Sequence, residues 1–296
     1  MKFGIAFSSV GPFVQPDALA DFAVTAEKVG VESLWSVEHV AVPVEYTSVY
    51  PYHASGRVAH GVSETDIPDP LLPLSYMAAH TSTIKLGTGI LVLPQRHPIY
   101  VAKELATLDV LSKGRLICGI GMNWMREEYE ALGIDFDTRA ARCRDSVAAI
   151  RTLWKPEPEA FESEHFNWPA LHSHPKPVQK DGIPFFVGGA TPIAAKRAAR
   201  YCDGFFPPIS DPKKLAILLD VMREECDKKG RDFNKIQIMA GDAMAPPPSM
   251  DVIAELADLG VTRVIVPPPG VTPEGGTIES VRDGLQEFSE NYLQKF

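Results

Sequence analysis

Short apolar stretches alternate with longer amphipathic stretches along most of the chain. The short stretches are rich in β-branched and aromatic residues, which favours strands, whereas the longer ones repeat their apolar residues at helical spacing. Strands that alternate with helices of this length indicate βα units and a parallel sheet. The predicted strands cover residues 2–7, 32–38, 84–93, 115–121, 184–187, 204–207, 236–240 and 263–266.

A helical segment follows each predicted strand, which gives about eight βα pairs, the number in a closed barrel. A doubly wound open sheet would produce a similar alternation, but this count favours an α/β fold of the (β/α)₈ TIM-barrel class. One barrel of about 250 residues with loop insertions accounts for the length, so we expect a single domain over residues 1–296. The predicted helices cover residues 16–29, 70–81, 98–111, 125–132 with 139–153, 192–201, 211–229, 249–259 and 277–292.

Two long segments lack a regular apolar period and are predicted as insertions at the carboxyl-terminal mouth of the barrel. Residues 41–69 are rich in Pro, Tyr, His and Gly, and a loop of this length usually binds something or acts as a lid. Residues 155–182 contain five prolines and three histidines and are expected to cross the same mouth. Active sites of such barrels lie at the carboxyl ends of the strands, so the residues that follow each strand are the functional candidates.

An acid and an imidazole, Glu38 and His39, close the second predicted strand. Both side chains exchange protons in enzymes, and histidine does so near neutral pH. Glu38 and His39 are therefore the catalytic candidates. The competing interpretation is a structural histidine that is fixed by a hydrogen bond.

Glycines at the ends of strands three and four are candidates for contact with a flat cofactor. Gly89 lies between Thr88 and Ile90, and Gly121 precedes Asn123 by two residues. Glycine allows the backbone to approach a ring closely, and the Asn123 amide offers both a donor and an acceptor. Packing inside the barrel would explain these glycines equally well.

A third candidate site follows predicted strand five, where Gly188, Gly189 and Ala190 lead to Thr191 and a new helix. Free amides and the positive end of a helix bind phosphate groups well. An ordinary tight turn with Thr191 as the helix cap is the alternative.

Charge and composition exclude several kinds of partner. The net charge of −9 and the pI near 5.4 argue against binding to nucleic acid, which requires clustered Lys and Arg. No stretch approaches the roughly 20 apolar residues of a membrane helix. The start lacks a signal-peptide pattern, and the four cysteines are far apart, so we expect a cytoplasmic protein.

Motifs of other enzyme classes are missing from the sequence. No dinucleotide fingerprint opens a βαβ unit in the first part of the chain, and no nucleophile elbow of the serine hydrolases occurs. The histidines of the long loops do not form a helix-borne metal motif, so we predict no metal site. These histidines are His53, His60, His165, His172 and His174.

The segment 86–128 resembles luciferase-like monooxygenases and their deazaflavin-dependent relatives. The similarity rests on LGTGILVLP at 86–94, on LDVLSKGR at 108–115 and on the glycines at 119 and 121. Together with Glu38-His39 and the turn at 188–190, it covers most of the predicted barrel.

The resemblance implies a redox cofactor, coenzyme F420 or FMN, at the mouth. It places a non-prolyl cis peptide near Gly89-Ile90 under the cofactor ring, the acid and histidine of strand two beside the ring, and the turn at 188–191 around the cofactor backbone or phosphate. It also implies a homodimer formed through helices near strands two and three.

The leading hypothesis is an F420-dependent oxidoreductase that transfers a hydride between the cofactor and a small organic substrate. A reduced-FMN monooxygenase is the alternative, with residues 41–69 as its lid, and a non-catalytic flavin-binding protein is a third hypothesis. The related sugar-phosphate dehydrogenases carry an acid where this chain has Trp124, so we do not expect oxidation of glucose 6-phosphate.

Overall fold

Eight parallel strands close into a barrel in the computed structural model, which describes residues 1–51, 55–57, 65–272 and 275–296. The predicted (β/α)₈ fold is therefore confirmed. β5 and β6 form a separate antiparallel pair, and β1 pairs with β10 to complete the circle. In chain order the strands are β1 (Lys2–Ile5), β2 (Ser33–Ser36), β3 (Lys85–Val92), β4 (Leu116–Gly121), β5 (Phe161–Glu162), β6 (Asn167–Trp168), β7 (Phe185–Gly188), β8 (Gly204–Phe206), β9 (Gln237–Ala240) and β10 (Val261–Val266).

The helices connect successive strands and pack against the outside of the barrel. They are α1 (Pro16–Val29), α2 (Leu71–His80), α3 (Pro98–Leu111), α4 (Arg126–Ala131), α5 (Arg139–Trp154), α6 (Pro192–Tyr201), α7 (Pro212–Lys229), α8 (Met250–Asp258) and α9 (Ile278–Asn291). The bounds of α3 and α6 match the prediction to the residue. Both helices begin at a proline, which fits the first helical turn without the loss of a hydrogen bond.

Inside the barrel, large side chains face glycines on the neighbouring strands. Trp35 on β2 is fully buried, and a Cβ atom on Gly87 of β3 would lie 2.4 Å from its Cε3 atom. A Cβ atom on Gly4 of β1 would lie 2.6 Å from Trp35 Nε1. The indole ring therefore requires glycine on both sides. The inward-facing cluster consists of Ala6, Trp35, Ile117, Phe186, Met239 and Ile265.

Residues next to these inward-facing positions point outward and join the larger core between strands and helices. Leu34 and Leu86 belong to that core, whereas Trp35 lies inside the barrel. Side chains of a strand alternate between its two faces, so one strand contributes to both clusters. This double burial explains why most residues of the barrel strands are apolar.

The segment 155–182 does not cross the mouth, and that prediction is wrong. It connects the end of α5 to the start of β7, which places both its ends opposite the mouth, because helices of a βα barrel run back from the mouth. The segment packs on the outside of α3 and α5. Lys176 donates to Leu153 O at 2.8 Å, and Gln179 Nε2 donates to Asp109 at 2.7 Å.

The described residues of the other long segment, 41–69, follow β2 and precede α2, which places them at the mouth. Its described residues form no helix or strand. His53 and His60 lie outside the described residues, as does Tyr52. Within the described part of the chain no helix is long and apolar enough to cross a membrane, and no group of three His, Cys, Asp or Glu side chains is arranged to hold a metal ion.

Candidate functional site

The carboxylate of Glu128 organises the described residues at the end of β2. It accepts a hydrogen bond from His39, with 2.9 Å between Nδ1 and Oε2. Its other oxygen, Oε1, accepts from the backbone amides of Val40 at 2.6 Å and Ala41 at 3.2 Å. Asn123 Nδ2 also donates to Glu128. One buried carboxylate thus fixes both the imidazole of His39 and the chain that follows it.

Glu128 was missed as a site residue because it stands inside a helix, α4, and not at the end of a strand. Burial raises the pKa of its carboxyl, but the bond from His39 and the two backbone amides outweigh burial and lower that pKa below its usual value. Glu128 is therefore an anion at neutral pH. The available signal was an acid in the first turn of the helix after strand four.

Glu38 takes part in a buried ion pair and does not face the mouth as a free acid. Its Oε1 accepts from Arg96 Nε at 2.8 Å and Nη2 at 2.5 Å, and its Oε2 accepts from the Val92 amide. Burial raises the pKa of Glu38, and the Arg96 guanidinium opposes that increase. Both oxygens of Glu38 thus accept hydrogen bonds within the protein, while the residue lines the cavity beside His39, and its catalytic role stays a prediction.

Arg96 holds both ends of the loop between β2 and α2. Its Nη2 atom contacts Glu38 at the start of the loop and Asp69 at the end, each at 2.5 Å. Asp69 also accepts from the Leu71 amide at 3.0 Å and so caps α2. Burial lowers the pKa of Arg96, but the two carboxylates outweigh it and raise that pKa above its ordinary value.

Glu127 holds the middle of the same loop. Its carboxylate accepts from the Thr47 amide at 2.6 Å, the Ser48 amide at 3.1 Å and the Ser48 hydroxyl at 2.6 Å. Burial raises the pKa of this carboxyl, but the bonds from Ser48 and Thr47 outweigh it and lower the pKa to about 2. The loop is therefore attached to α4 through charged hydrogen bonds, which are stronger than neutral ones.

Trp124 is the centre of an aromatic group at the mouth. The ring centroids of Tyr46 and Tyr50 lie 5.7 and 5.3 Å from it, both edge-on. The imidazole of His39 lies 6.2 Å away. Trp124 thus joins the loop to the candidate catalytic histidine.

The predicted contact between Asn123 and a cofactor stays a prediction, and the described bonds of this residue are all within the protein. Asn123 has a φ of 53°, and its Oδ1 accepts from the amides of Trp124 at 2.7 Å and Met125 at 3.2 Å. Its Nδ2 donates to Glu128. Both ends of the side-chain amide are therefore bonded within the protein. Asparagine suits this position because it adopts the left-handed conformation readily and its side chain bonds the backbone amides that follow it.

Thr88, another residue predicted to contact a cofactor, is buried between β3 and β4. Its side chain is fully buried, and the hydroxyl donates to Gly119 O at 2.7 Å. The hydroxyl therefore links β3 to β4 and does not reach the mouth. A Cβ atom on Gly119 would lie 2.0 Å from Thr88 O, so these two strands approach closely only with glycine at that position.

The end of β3 has the cis peptide that the resemblance implies, between Gly89 and Ile90. Both residues are partly exposed, and the pairing of β3 with β4 shifts between Thr88 and Leu91. A Cβ atom on Gly121 would lie 2.5 Å from Ile90 Cδ1, and one on Gly188 would lie 2.8 Å from Ile90 Cγ2. The Ile90 side chain thus occupies the space that these two glycines leave.

The turn after β7 has open backbone donors at the start of α6. Gly189 has a φ of 125°, which favours glycine, and Thr191 caps the helix by accepting from the Ala194 amide at 3.2 Å. The amides of Ala190 and Thr191 donate to no residue that the structure describes. The ordinary cap and the open amides therefore occur together at one turn.

A cavity of about 340 Å³ opens beside His39, between the ends of β2 and β3 and the end of α4. Val40, Ile67 and Leu132 form its apolar walls. Its size is within the range of sites for small molecules, about 300 to 1,000 Å³. A second cavity, between α1 and α9, has about 10 Å³ and holds no more than a water molecule.

Sequence comparison identifies the family of this barrel. The family model described as luciferase-like monooxygenase matches residues 1–265. The chain belongs to this family.

Relatives of this luciferase-like protein use different cofactors. This chain is 33% identical over 228 residues to the F420-dependent glucose-6-phosphate dehydrogenase of Kineococcus radiotolerans, and the aligned part covers 75% of this chain and 61% of that protein. It is 30% identical over 227 residues to the oxygenase component of a flavin-dependent trigonelline monooxygenase of Acinetobacter baylyi, covering 75% and 57%. Its fold matches the coenzyme F420-dependent tetrahydromethanopterin reductase of Methanopyrus kandleri, with a TM-score of 0.73, 18% identity and coverage of 100% and 99%.

The first prediction concerns the attachment of the loop of this luciferase-like barrel to α4. In Glu127→Gln, amide exchange at Thr47 and Ser48 should accelerate about tenfold or more, since a hydrogen bond to a charged group contributes roughly 1.5 to 3 kcal/mol. Hydrogen exchange with mass spectrometry measures this rate. Because the pKa of Glu127 is lowered to about 2, the attachment is complete above its ordinary pKa of 4.5 and is lost as the pH falls towards 2.

Glu130→Gln is the matched control on the same helix. Glu130 is exposed, and its carboxylate accepts no hydrogen bond from the loop residues that the structure describes. Equal exchange at Thr47 and Ser48 in wild type and Glu127→Gln would contradict the attachment.

Proposed function

We propose that this luciferase-like protein is a coenzyme F420-dependent oxidoreductase that transfers a hydride between the cofactor and a small organic substrate at the barrel mouth. The observation that carries the proposal is the imidazole of His39, held at the end of β2 by the Glu128 carboxylate. The similarity to F420-dependent relatives supports the choice of cofactor.

His39 is suited to move the proton that accompanies hydride transfer. With Nδ1 donating to Glu128, the neutral ring presents Nε2 as an acceptor, and the protonated ring presents it as a donor. A substrate alcohol that loses a hydride must also lose its hydroxyl proton, and His39 Nε2 is the proposed acceptor. Glu128 acts as a positioning residue, since it fixes the orientation and the tautomer of the ring.

The mouth has groups that fit a deazaflavin. The open amides of Ala190 and Thr191 and the positive end of α6 suit a phosphate or carboxylate group of the cofactor. Gly89, Ile90, Gly188 and Gly189 are partly exposed and are the proposed backbone contacts of the cofactor. Gly121 is buried against the Ile90 side chain and would act through that residue. When bound, the deazaflavin accepts or supplies the hydride, while the protein contributes orientation and electrostatics.

A reduced-FMN monooxygenase is the second candidate. The similarity to the oxygenase component of a flavin-dependent monooxygenase favours it. The attachments of the loop to Arg96 and Glu127 also favour it, since a loop that acts as a lid would exclude water from the reaction. The same residues would contact either ring system, so the distinction depends on the cofactor that the protein binds.

A paired fluorescence titration with F420 and FMN, each oxidised and reduced, tests the cofactor. We expect F420 to bind at least about tenfold more tightly, which corresponds to about 1.4 kcal/mol. Tighter binding of reduced FMN would replace the proposal with oxygen chemistry. Binding of neither cofactor would reject both candidates.

The role of His39 is tested by His39→Ala in steady-state turnover. General acid-base catalysis contributes about 10² to 10⁴-fold, so kcat should fall by that factor while the cofactor affinity stays unchanged. In Glu128→Gln we expect a smaller loss and a displaced pH profile of kcat, which a purely structural role would not produce. Full turnover by His39→Ala would refute the assignment, and Glu130→Gln serves as the control.

We also propose a homodimer formed through α2 and α3. Leu72 on α2 is 69% exposed, and Tyr100 and Leu111 on α3 are 71% and 61% exposed, which supports an apolar contact surface on these two helices. Size-exclusion chromatography with light scattering should give twice the chain mass of 32.4 kDa for wild type and the monomer mass for Leu72→Asp. A monomeric wild type would exclude this assembly.

A further inference from the structure

Gln95 is a buried polar side chain without partners in the wall of the cavity beside His39. The residue is 9% exposed and lines the cavity. Neither the oxygen nor the nitrogen of its carboxamide has a hydrogen-bond partner among the described residues. Buried amides nearly always have partners, because an unpaired one loses its hydration without compensation. The Gln95 carboxamide therefore has a donor and an acceptor that the described residues leave unused.

The charges around the cavity disfavour an anion as the partner of Gln95. Arg96 is shared by the carboxylates of Glu38 and Asp69, with Glu104 at 3.8 Å from its Nη1 atom. The Arg96 guanidinium is thus already paired with the Glu38 and Asp69 carboxylates, so a carboxylate or phosphate finds no unpaired guanidinium among the described residues of the cavity wall.

The hydrogen-bonding capacity of Gln95 defines the complementary group. A carboxamide has an acceptor oxygen beside a donor nitrogen, so its matching partner has a donor beside an acceptor. An uncharged amide or lactam has such an edge and pairs with both ends at once. The apolar walls at Val40, Ile67 and Leu132 suit the carbon skeleton of the same molecule.

We propose that this cavity binds the substrate by an uncharged amide or lactam edge, with Gln95 as the specificity-determining residue. The proposal rests on the function proposed above only in calling this molecule the substrate. The carboxamide atoms are shielded in the present conformation, and the broad torsion minimum of the last side-chain bond of glutamine lets the group turn towards a bound molecule. His39 lines the same cavity, so a molecule bound there lies beside the imidazole.

Three ring compounds of equal shape test the recognition of the amide in the full-length protein, with and without F420. Benzamide has the donor and the acceptor, acetophenone has the acceptor alone, and benzoate has a charge. In calorimetric titrations we expect benzamide to bind about tenfold more tightly than acetophenone, because it makes one more hydrogen bond, and benzoate to bind most weakly. Benzoate binding as tightly as benzamide, or no binding of any of the three, would overturn the proposal.

Gln95→Met tests the residue itself, because methionine keeps the length and removes the amide. Benzamide should then bind no better than acetophenone. The ligand-free variant should melt about 2 °C or more above wild type, since an unpaired buried amide has been removed. Gln286→Met, on the exposed face of α9, is the matched control and should change neither quantity. Unchanged discrimination between benzamide and acetophenone in Gln95→Met would reject the role of Gln95.

The two proposals fail in different ways. If benzamide binds through Gln95 but neither F420 nor FMN binds, the cofactor assignment is wrong and the binding site stands. If F420 binds but the three ring compounds do not, the site beside His39 is rejected and the proposed function stands.

Discussion

The indole ring of Trp35 inside the barrel is the constraint on which the remaining architecture depends. It occupies space that a Cβ atom on Gly4 or Gly87 would need, so β1 and β3 can pair with β2 only as glycine-containing strands. The interior is filled by this ring together with Phe186 and the other side chains of the inward-facing cluster. A solid interior forces any ligand to the mouth, which is why the strand ends carry the polar groups.

At the mouth, fixed charges replace apolar packing as the organising force. Glu128 and Glu127 are adjacent on a short helix, yet one holds His39 and the other holds Thr47 and Ser48. Each carboxylate accepts several bonds, which keeps it ionised and keeps the loop attached. Arg96 adds a third attachment through Glu38 and Asp69. The imidazole of His39 is therefore positioned by Glu128 on α4 and by the neighbouring Trp124 ring, rather than by residues of its own strand.

The barrel could be predicted from the sequence, because doubly buried strands and proline-initiated helices leave a periodic pattern in neighbouring residues. The bounds of α3 and α6 show how local that information is. The site was less predictable. His39 and Glu128 are 89 positions apart, and nothing in the local pattern pairs them. The segment 155–182 was misplaced for a related reason, since its contact with Asp109 comes from a helix 70 positions earlier in the chain. Family resemblance, and not periodicity, indicated the cis peptide at Gly89-Ile90.

The ion pairs of Arg96 with Glu38 and Asp69 join the two ends of the loop between β2 and α2. The chain between Glu38 and Asp69 can change in length at small cost, because each doubling of a flexible loop costs only about 0.6 kcal/mol in closure entropy. His39 and Asp69 would keep their places during such a change. The length and sequence of this loop can therefore vary independently of the barrel, so that substrate selection changes while the fold is kept.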